Sequence, residues 1–165
     1  MNIRVLMFIF MALLCSSAKS ESLDDRSDKA KIELDAIGRM AARDKCASPL
    51  KIVRRRVANM HDPEVVDEIQ KYFCNGFDVT LYQTHASESS REFPLAVVVY
   101  RSRPELGRKL SIGAPISDVL SVLGPPARIE HGDLVYDLGE SMDDSITFKV
   151  VRGKVKSIAW AWSID

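Results

Sequence analysis

The stretch GAPISDVLSVLGPP, residues 113–126, decides the fold of the carboxy-terminal half of this chain. Its apolar residues recur at helical spacing, which predicts a short amphipathic helix that packs on a sheet. Gly124 ends this helix, because glycine adopts the left-handed conformation at low cost, and the two prolines after it prevent continuation. The apolar positions that face the sheet are Ile116, Val119, Leu120 and Leu123.

The residues after this helix predict an antiparallel meander. Three strands are expected at about residues 133–138, 145–151 and 154–163, and Arg152-Gly153 forms a tight turn between the last two. Trp160 and Trp162 share one face of the last strand, because they lie two residues apart. We interpret both as sheet core. The alternative is a binding patch, since tryptophan is enriched at interface hot spots.

The residues before the helix predict two further strands. Residues 77–82 alternate apolar and polar side chains, which is typical of a half-buried strand. Residues 94–100 form a second, more apolar strand, and the polar stretch HASESSRE at residues 85–92 is the loop that joins the two.

The amino-terminal half shows a helical period. Apolar residues from Leu34 onward predict a first helix over about residues 28–45. Ser48-Pro49 and Asp62-Pro63 each place a capping side chain before a first-turn proline, which predicts a second and a third helix. Asn75-Gly76 ends the third helix.

We therefore predict the α+β fold class, with N-terminal helices followed by an antiparallel sheet on which one short helix packs. Residues 29–165 are expected to form a single α+β domain. Its helical part is residues 29–76 and its sheet part is residues 77–165.

Residues 1–18 have the pattern of a secretory signal peptide. A basic start at Arg4 precedes an unbroken apolar run over residues 5–15, and small residues follow where a signal peptidase cuts. Cleavage is expected after Ala18, with Ser20 as the alternative. Residues 19–28 are polar and are interpreted as a mobile leader.

The bulk composition after cleavage excludes two classes of partner. Removing 18 of 165 residues leaves 147, with 22 basic against 23 acidic side chains because Arg4 alone is lost. A chain this close to neutral has no electrostatic basis for nucleic acid as its main partner. No apolar run of the mature chain is long enough for a transmembrane segment, so we expect a soluble protein.

Cys46 and Cys74 are the cysteines that remain after cleavage, and an even pair in an oxidising compartment favours a disulfide. The alternative is a pair of buried free thiols. No CxxC motif or nearby histidine pair has the ligand spacing of a metal site, so neither a metal nor a cofactor is expected. Cys15 would carry a lipid only within a lipobox, and the bulky Leu14 directly before it fits that motif poorly.

The segment of residues 110–163 resembles the SmpA/OmlA (BamE-like) domain of bacterial envelope proteins. That family opens a short helix with glycine, places a valine six residues on and closes with Leu-Gly-x-Pro. The matching positions are Gly113, Val119, Leu123, Gly124 and Pro126, followed by Tyr136, residues 146–150 and Gly153. The resemblance implies a β-lactamase-inhibitor-like fold and an exported, non-catalytic binding domain. Pro115 departs from it, because the family commonly has Thr or Ser at the helix cap.

Two charged segments are candidate partner-binding sites. The first is the acidic turn with Glu140, Asp143 and Asp144, together with the loop at residues 85–92, since loops on a rigid scaffold commonly carry binding. The second is the basic run with Arg54 and Arg55, which continues at Arg56. On the predicted second helix all three arginines project away from the core, as a solvated face or as a contact for an anionic partner.

These features favour a non-enzymatic protein-binding module that is exported to the bacterial periplasm or secreted. Its partner is expected to be another protein. The chain itself would act as an envelope adaptor or as an inhibitor of the immunity type. The alternatives are a lipid-anchored subunit for outer-membrane assembly or structure and a small envelope hydrolase. His61, His85 and His131 are scattered and show no acid-base-nucleophile pattern, so no catalytic residue is predicted.

Overall fold

The computed structural model describes residues 22–59, 61–85, 90–139 and 141–164, and for Ser141 and Met142 the backbone alone. The described residues form two α-helices and eight strands. In chain order these are α1 (Leu23–Asp44), β1 (Lys51–Ala58), β2 (Val66–Phe73), β3 (Phe77–Thr84), β4 (Arg91–Val99), α2 (Ile116–Leu123), β5 (Arg128–Glu130), β6 (Asp133–Leu138), β7 (Ser141–Val151) and β8 (Lys154–Ala161).

The strands form one antiparallel sheet in the order β1-β2-β3-β4-β8-β7-β6-β5. Strands that follow each other along the chain pair as hairpins on both sides, and β8 joins the two sides by pairing with β4. A 3-10 turn at Pro104–Leu106 lies in the connection between β4 and α2. The end strands of the sheet are therefore β1, which has eight residues, and β5, which has three.

The core lies between one face of the sheet and the two helices. Leu34 of α1, Val119 and Leu123 of α2, and Trp160 of β8 are all buried in it. Trp160 is 1% exposed and Trp162 is 5% exposed, so the prediction that these tryptophans belong to the sheet core is confirmed. The other face of the sheet carries no helix among the described residues.

The prediction of N-terminal helices was wrong. One helix, α1, precedes the sheet, and the segments predicted as the second and third helices form the hairpin β1–β2 instead. Val53 and Val57 fit a helix face, but they also share one face of a strand, and β-branched residues favour strands. Pairing with β3 decides the outcome, since it places Tyr72 opposite Val79 in the core.

The leader prediction was wrong for residues 23–28, because α1 begins at Leu23. Ser22 caps the helix: its side chain accepts from the Asp25 N–H at 3.1 Å, and the Asp25 carboxylate accepts from the Ser22 N–H at 3.3 Å. The predicted signal peptide at residues 1–18 and residues 19–21 of the leader lie outside the described residues.

The predicted disulfide is confirmed. Cys46 and Cys74 are bonded, with their Cα atoms 5.8 Å apart. The bond joins the segment after α1 to the end of β2. It therefore closes a loop that contains the entire β1–β2 hairpin.

Candidate binding surface on the first strand

The strand β1 lies at the end of the sheet, where β2 is its one neighbour among the described strands. Seven of its eight residues are exposed and Val57 is half-buried. Helix α1 packs chiefly on β3, β4 and α2 rather than here. A strand with one partner and two accessible faces leaves both its side chains and its outer backbone edge open to solvent.

The side chains of β1 alternate between the two faces of the sheet. Ile52 lies opposite Tyr72, which itself lies opposite the buried Val79, so Ile52 is on the helix-bearing face. Arg54 and Arg56 follow on the same face, since residues two apart share a side of the strand. Lys51, Val53 and Arg55 lie on the open face. The prediction that the three arginines project from one helix face was therefore wrong.

Most of the positive charge on β1 lacks a neutralising partner. Arg54 pairs with Glu68, at 3.4 Å between Nε and Oε1. Among the described residues, no carboxylate lies within 4.0 Å of the cationic nitrogens of Lys51, Arg55 or Arg56. The strand consequently presents a surplus of three positive charges.

Exposed apolar side chains accompany these charges. Leu50 is 77% exposed, Ile52 is 38% exposed and Val53 is 41% exposed. Burial of exposed apolar side chains under a partner is favourable. Such side chains beside free cations are therefore typical of a binding surface. Residues 50–56 are hereafter called the basic edge.

The backbone of the basic edge is also unsatisfied on its outer side. The N–H of Asn59 donates to the Val65 carbonyl oxygen at 2.9 Å, in register with the β1–β2 pairs. Bonded positions alternate along an antiparallel pair, so the odd-numbered residues of β1 bond to β2. Ile52, Arg54 and Arg56 therefore direct their N–H and C=O groups away from the sheet.

A buried carboxylate fixes the far end of this hairpin. The Asp67 side chain has no exposed surface and accepts from Asn59 Nδ2 at 2.6 Å, from the His85 N–H at 2.7 Å and from the Tyr82 hydroxyl. Burial raises the pKa of Asp67, but these hydrogen bonds outweigh it and hold the pKa below its usual range. Asp67 thus ties the β1–β2 turn to the end of β3.

The predicted acidic site is not a set of free carboxylates. Asp144 Oδ1 accepts from the N–H and the hydroxyl of Ser163 at 2.8 and 3.0 Å, and its Oδ2 lies 3.5 Å from Arg39. Asp143 is exposed, whereas Glu140 lies outside the described residues. The acidic strand β7 is five strand spacings from β1, or about 24 Å. The structure therefore does not bring the acidic residues and the arginines together.

The predicted loop at residues 85–92 is described at its two ends only, because residues 86–89 lie outside the described set. Glu92 pairs with Lys45 at 2.6 Å, and Ser90 accepts from Gln83 Nε2 at 3.0 Å. Both described contacts hold the ends of this loop against the helix-bearing side of the sheet.

Among the described residues, neither helix is long and apolar enough to span a membrane. Within the same ranges, no group of three or more His, Cys, Asp and Glu side chains is arranged to hold a metal ion. The nearest approach of a histidine to a buried acid is His85 Nδ1 at 3.9 Å from Asp67 Oδ1.

Arg54 and Arg55 were recognised as candidates from the sequence, whereas the edge strand that carries them was not. The stretch KIVRRRVA carries adjacent β-branched residues, Ile52 and Val53, next to a charge run. Charged side chains of this kind are a known feature of edge strands. That signal could have indicated an edge strand rather than a helix.

No family model, no curated protein and no solved structure matches this chain.

Proposed function

We propose that this chain is an exported, non-enzymatic protein-binding module of the bacterial periplasm, and that it contacts its partner through the basic edge. The observation that carries the proposal is the combination, on one strand, of exposed apolar side chains, unpaired cations and free backbone groups. A protein partner can satisfy all three at once, since it supplies apolar area, carboxylates and main-chain hydrogen bonds.

Export is supported by the disulfide. A bonded pair of cysteines is compatible with an oxidising compartment and is uncommon in the reducing cytosol. The secretory pattern of residues 1–18 and the resemblance of residues 110–163 to BamE-like domains point the same way. We accordingly propose a periplasmic location and an adaptor or inhibitor role.

Site-specific photocrosslinking in the native host tests this function. A benzoylphenylalanine at position 53 samples the basic edge, and the same group at position 120 is the matched control, since Val53 and Leu120 are 41% and 38% exposed. We expect a discrete protein adduct from position 53 and none from position 120. A third probe at Asp143 examines the acidic turn.

Adducts from position 120 or 143 alone would place the binding surface at α2 or β7. The absence of any adduct from position 53 would contradict a partner at β1. Mass spectrometry of the purified protein completes the test of export. An amino terminus at Lys19 or Glu21 is expected, whereas an acylated Cys15 would indicate the lipid-anchored alternative.

A further inference from the structure

We propose that the basic edge binds an acidic, extended peptide segment of its partner, which pairs with β1 as an additional strand of the sheet. This inference rests on the proposed function and specifies the chemistry of the partner. It follows from three properties of β1: its outward backbone groups, the order of its side chains and its unbalanced charge.

The outward backbone groups of β1 favour a partner in an extended conformation. Ile52, Arg54 and Arg56 direct their N–H and C=O groups away from the sheet at every second position, as the register of β1 with β2 requires. Only a second strand offers donors and acceptors at that spacing. A lipid surface offers acceptors and no matching ladder of donors, so the backbone favours a peptide.

The side chains then specify the composition of the incoming strand. Residues 52 and 53 are apolar, and residues 54–56 are arginines. Directly opposed residues on neighbouring strands contact each other, and opposite charges across that contact are favourable. The matching segment therefore has acidic residues opposite residues 54–56, apolar residues opposite 52 and 53, and a further acid opposite Lys51.

A second copy of this chain does not fit the same edge. Two β1 strands in antiparallel register centred on Arg55 would place arginine opposite arginine at all three positions, which is destabilising. The other end of the sheet, β5, has only the three residues Arg128–Glu130. The charges that attract an acidic segment thus also prevent self-pairing.

Peptide binding to the purified chain tests the proposal. The probes are fluorescein-labelled EEEVIE and its reversed sequence EIVEEE, which match the basic edge in antiparallel and parallel directions. Composition-matched EVEEIE and charge-reversed KKKVIK are the controls. We expect saturable binding of one matched peptide. It should be about threefold or more tighter than that of EVEEIE, which loses the acid opposite Arg55 and places one opposite Val53, and at least about tenfold tighter than that of KKKVIK, which reverses all four charge pairs.

A protein variant locates the site. Arg55→Glu with Arg56→Glu should weaken binding of the matched peptide by about tenfold or more, since two favourable pairs become unfavourable. Lys29→Glu with Arg108→Glu makes the same change of net charge at two exposed cations away from β1 and should leave binding unchanged. Equal losses in the two variants would reveal a general charge effect and overturn the assignment to β1.

Backbone pairing has its own signature, which needs no change in the protein. Two forms of the matched peptide carry N-methyl groups on odd or on even residues. Strand pairing uses alternate N–H groups, so one form should lose binding and the other should keep it. Equal binding of both forms would exclude strand addition even if the charged variant fails to fold.

Three further results would also overturn the proposal. These are tighter binding of phosphatidylglycerol vesicles than of either matched peptide, dimerisation that Arg55→Glu with Arg56→Glu abolishes, and binding of none of the peptides. Failure here is distinguishable from failure of the proposed function. If the adduct at position 53 forms while no acidic strand binds, β1 contacts a partner of other chemistry.

Discussion

The indole N–H of Trp160 donates to the backbone carbonyl oxygen of Leu34 at 2.9 Å, which joins the middle of α1 to the centre of the sheet. Helix and strand approach this closely because the next turn of α1 carries Gly38. A Cβ atom at that position would lie 2.6 Å from the Trp160 ring. The absence of a side chain at Gly38 is thus what allows the tryptophan to be buried.

We predict that Gly38→Ala destabilises the protein by about 1–3 kcal/mol, the usual cost of overpacking a core. The sign of the change in the free energy of unfolding is informative. Alanine is a better helix former than glycine, so an unobstructed Gly→Ala change in a helix would be stabilising. Urea unfolding followed by tryptophan fluorescence measures the difference. An equal or higher free energy of unfolding would mean that α1 does not pack on Trp160 in this way.

The disulfide should contribute strongly to stability. Cys46→Ser with Cys74→Ser opens the loop that holds the β1–β2 hairpin, and a closed loop of this length is worth roughly 3–4 kcal/mol in the chain-entropy model. Urea unfolding of the double variant gives the loss directly. Wild-type protein treated with dithiothreitol is the matched control and should show the same loss. A variant as stable as the oxidised protein would contradict this account.

Short-range patterns predicted the carboxy-terminal elements well. The predicted strand at residues 133–138 coincides with β6, and the helix predicted within residues 113–126 is α2. Both depend on local features of the sequence. The strand follows from the alternation of apolar and polar residues, and the helix ends at Gly124. The tryptophans were assigned correctly for the same reason, since a spacing of two places them on one face.

The amino-terminal half could not be predicted in this way. Val53 and Val57 fit a helix and a strand equally, and the decision between them comes from Tyr72 opposite Val79, a contact made only when β2 meets β3. Arg54 and Arg55 were recognised as candidates, but their exposure on an edge strand depends on that same pairing. Asp67 was missed because its partners, Asn59, Tyr82 and the backbone of His85, converge only in the folded chain.

Asp144 should prove structural. Its carboxylate binds Ser163 through two hydrogen bonds and lies beside Arg39, so Asp144→Ala leaves the donors at the end of β8 without their acceptor. We expect a loss of about 1–3 kcal/mol in the free energy of unfolding. An exposed acid of α1 provides the control, since Glu33→Ala should change stability by less than about 0.5 kcal/mol. An equal loss in the two variants would contradict a specific structural role for Asp144.

Asp67 should make stability depend on pH in the acid range. Its folded-state pKa lies below the ordinary value of 3.8, so its contribution is present above that value and is lost as pH falls through the folded pKa. Asp67→Asn replaces one of the two acceptor oxygens with an NH2 group, so at least one of the three donors loses its acceptor, and the variant should cost about 1–3 kcal/mol at pH 7. Because the variant no longer titrates at this position, its deficit relative to wild type should shrink as pH falls below 3.8. Urea unfolding of both proteins at pH 7, 4 and 3 measures this, with Glu33→Gln as an exposed control. A deficit that stays constant with pH would show that the Asp67 carboxylate is not held ionised by these contacts.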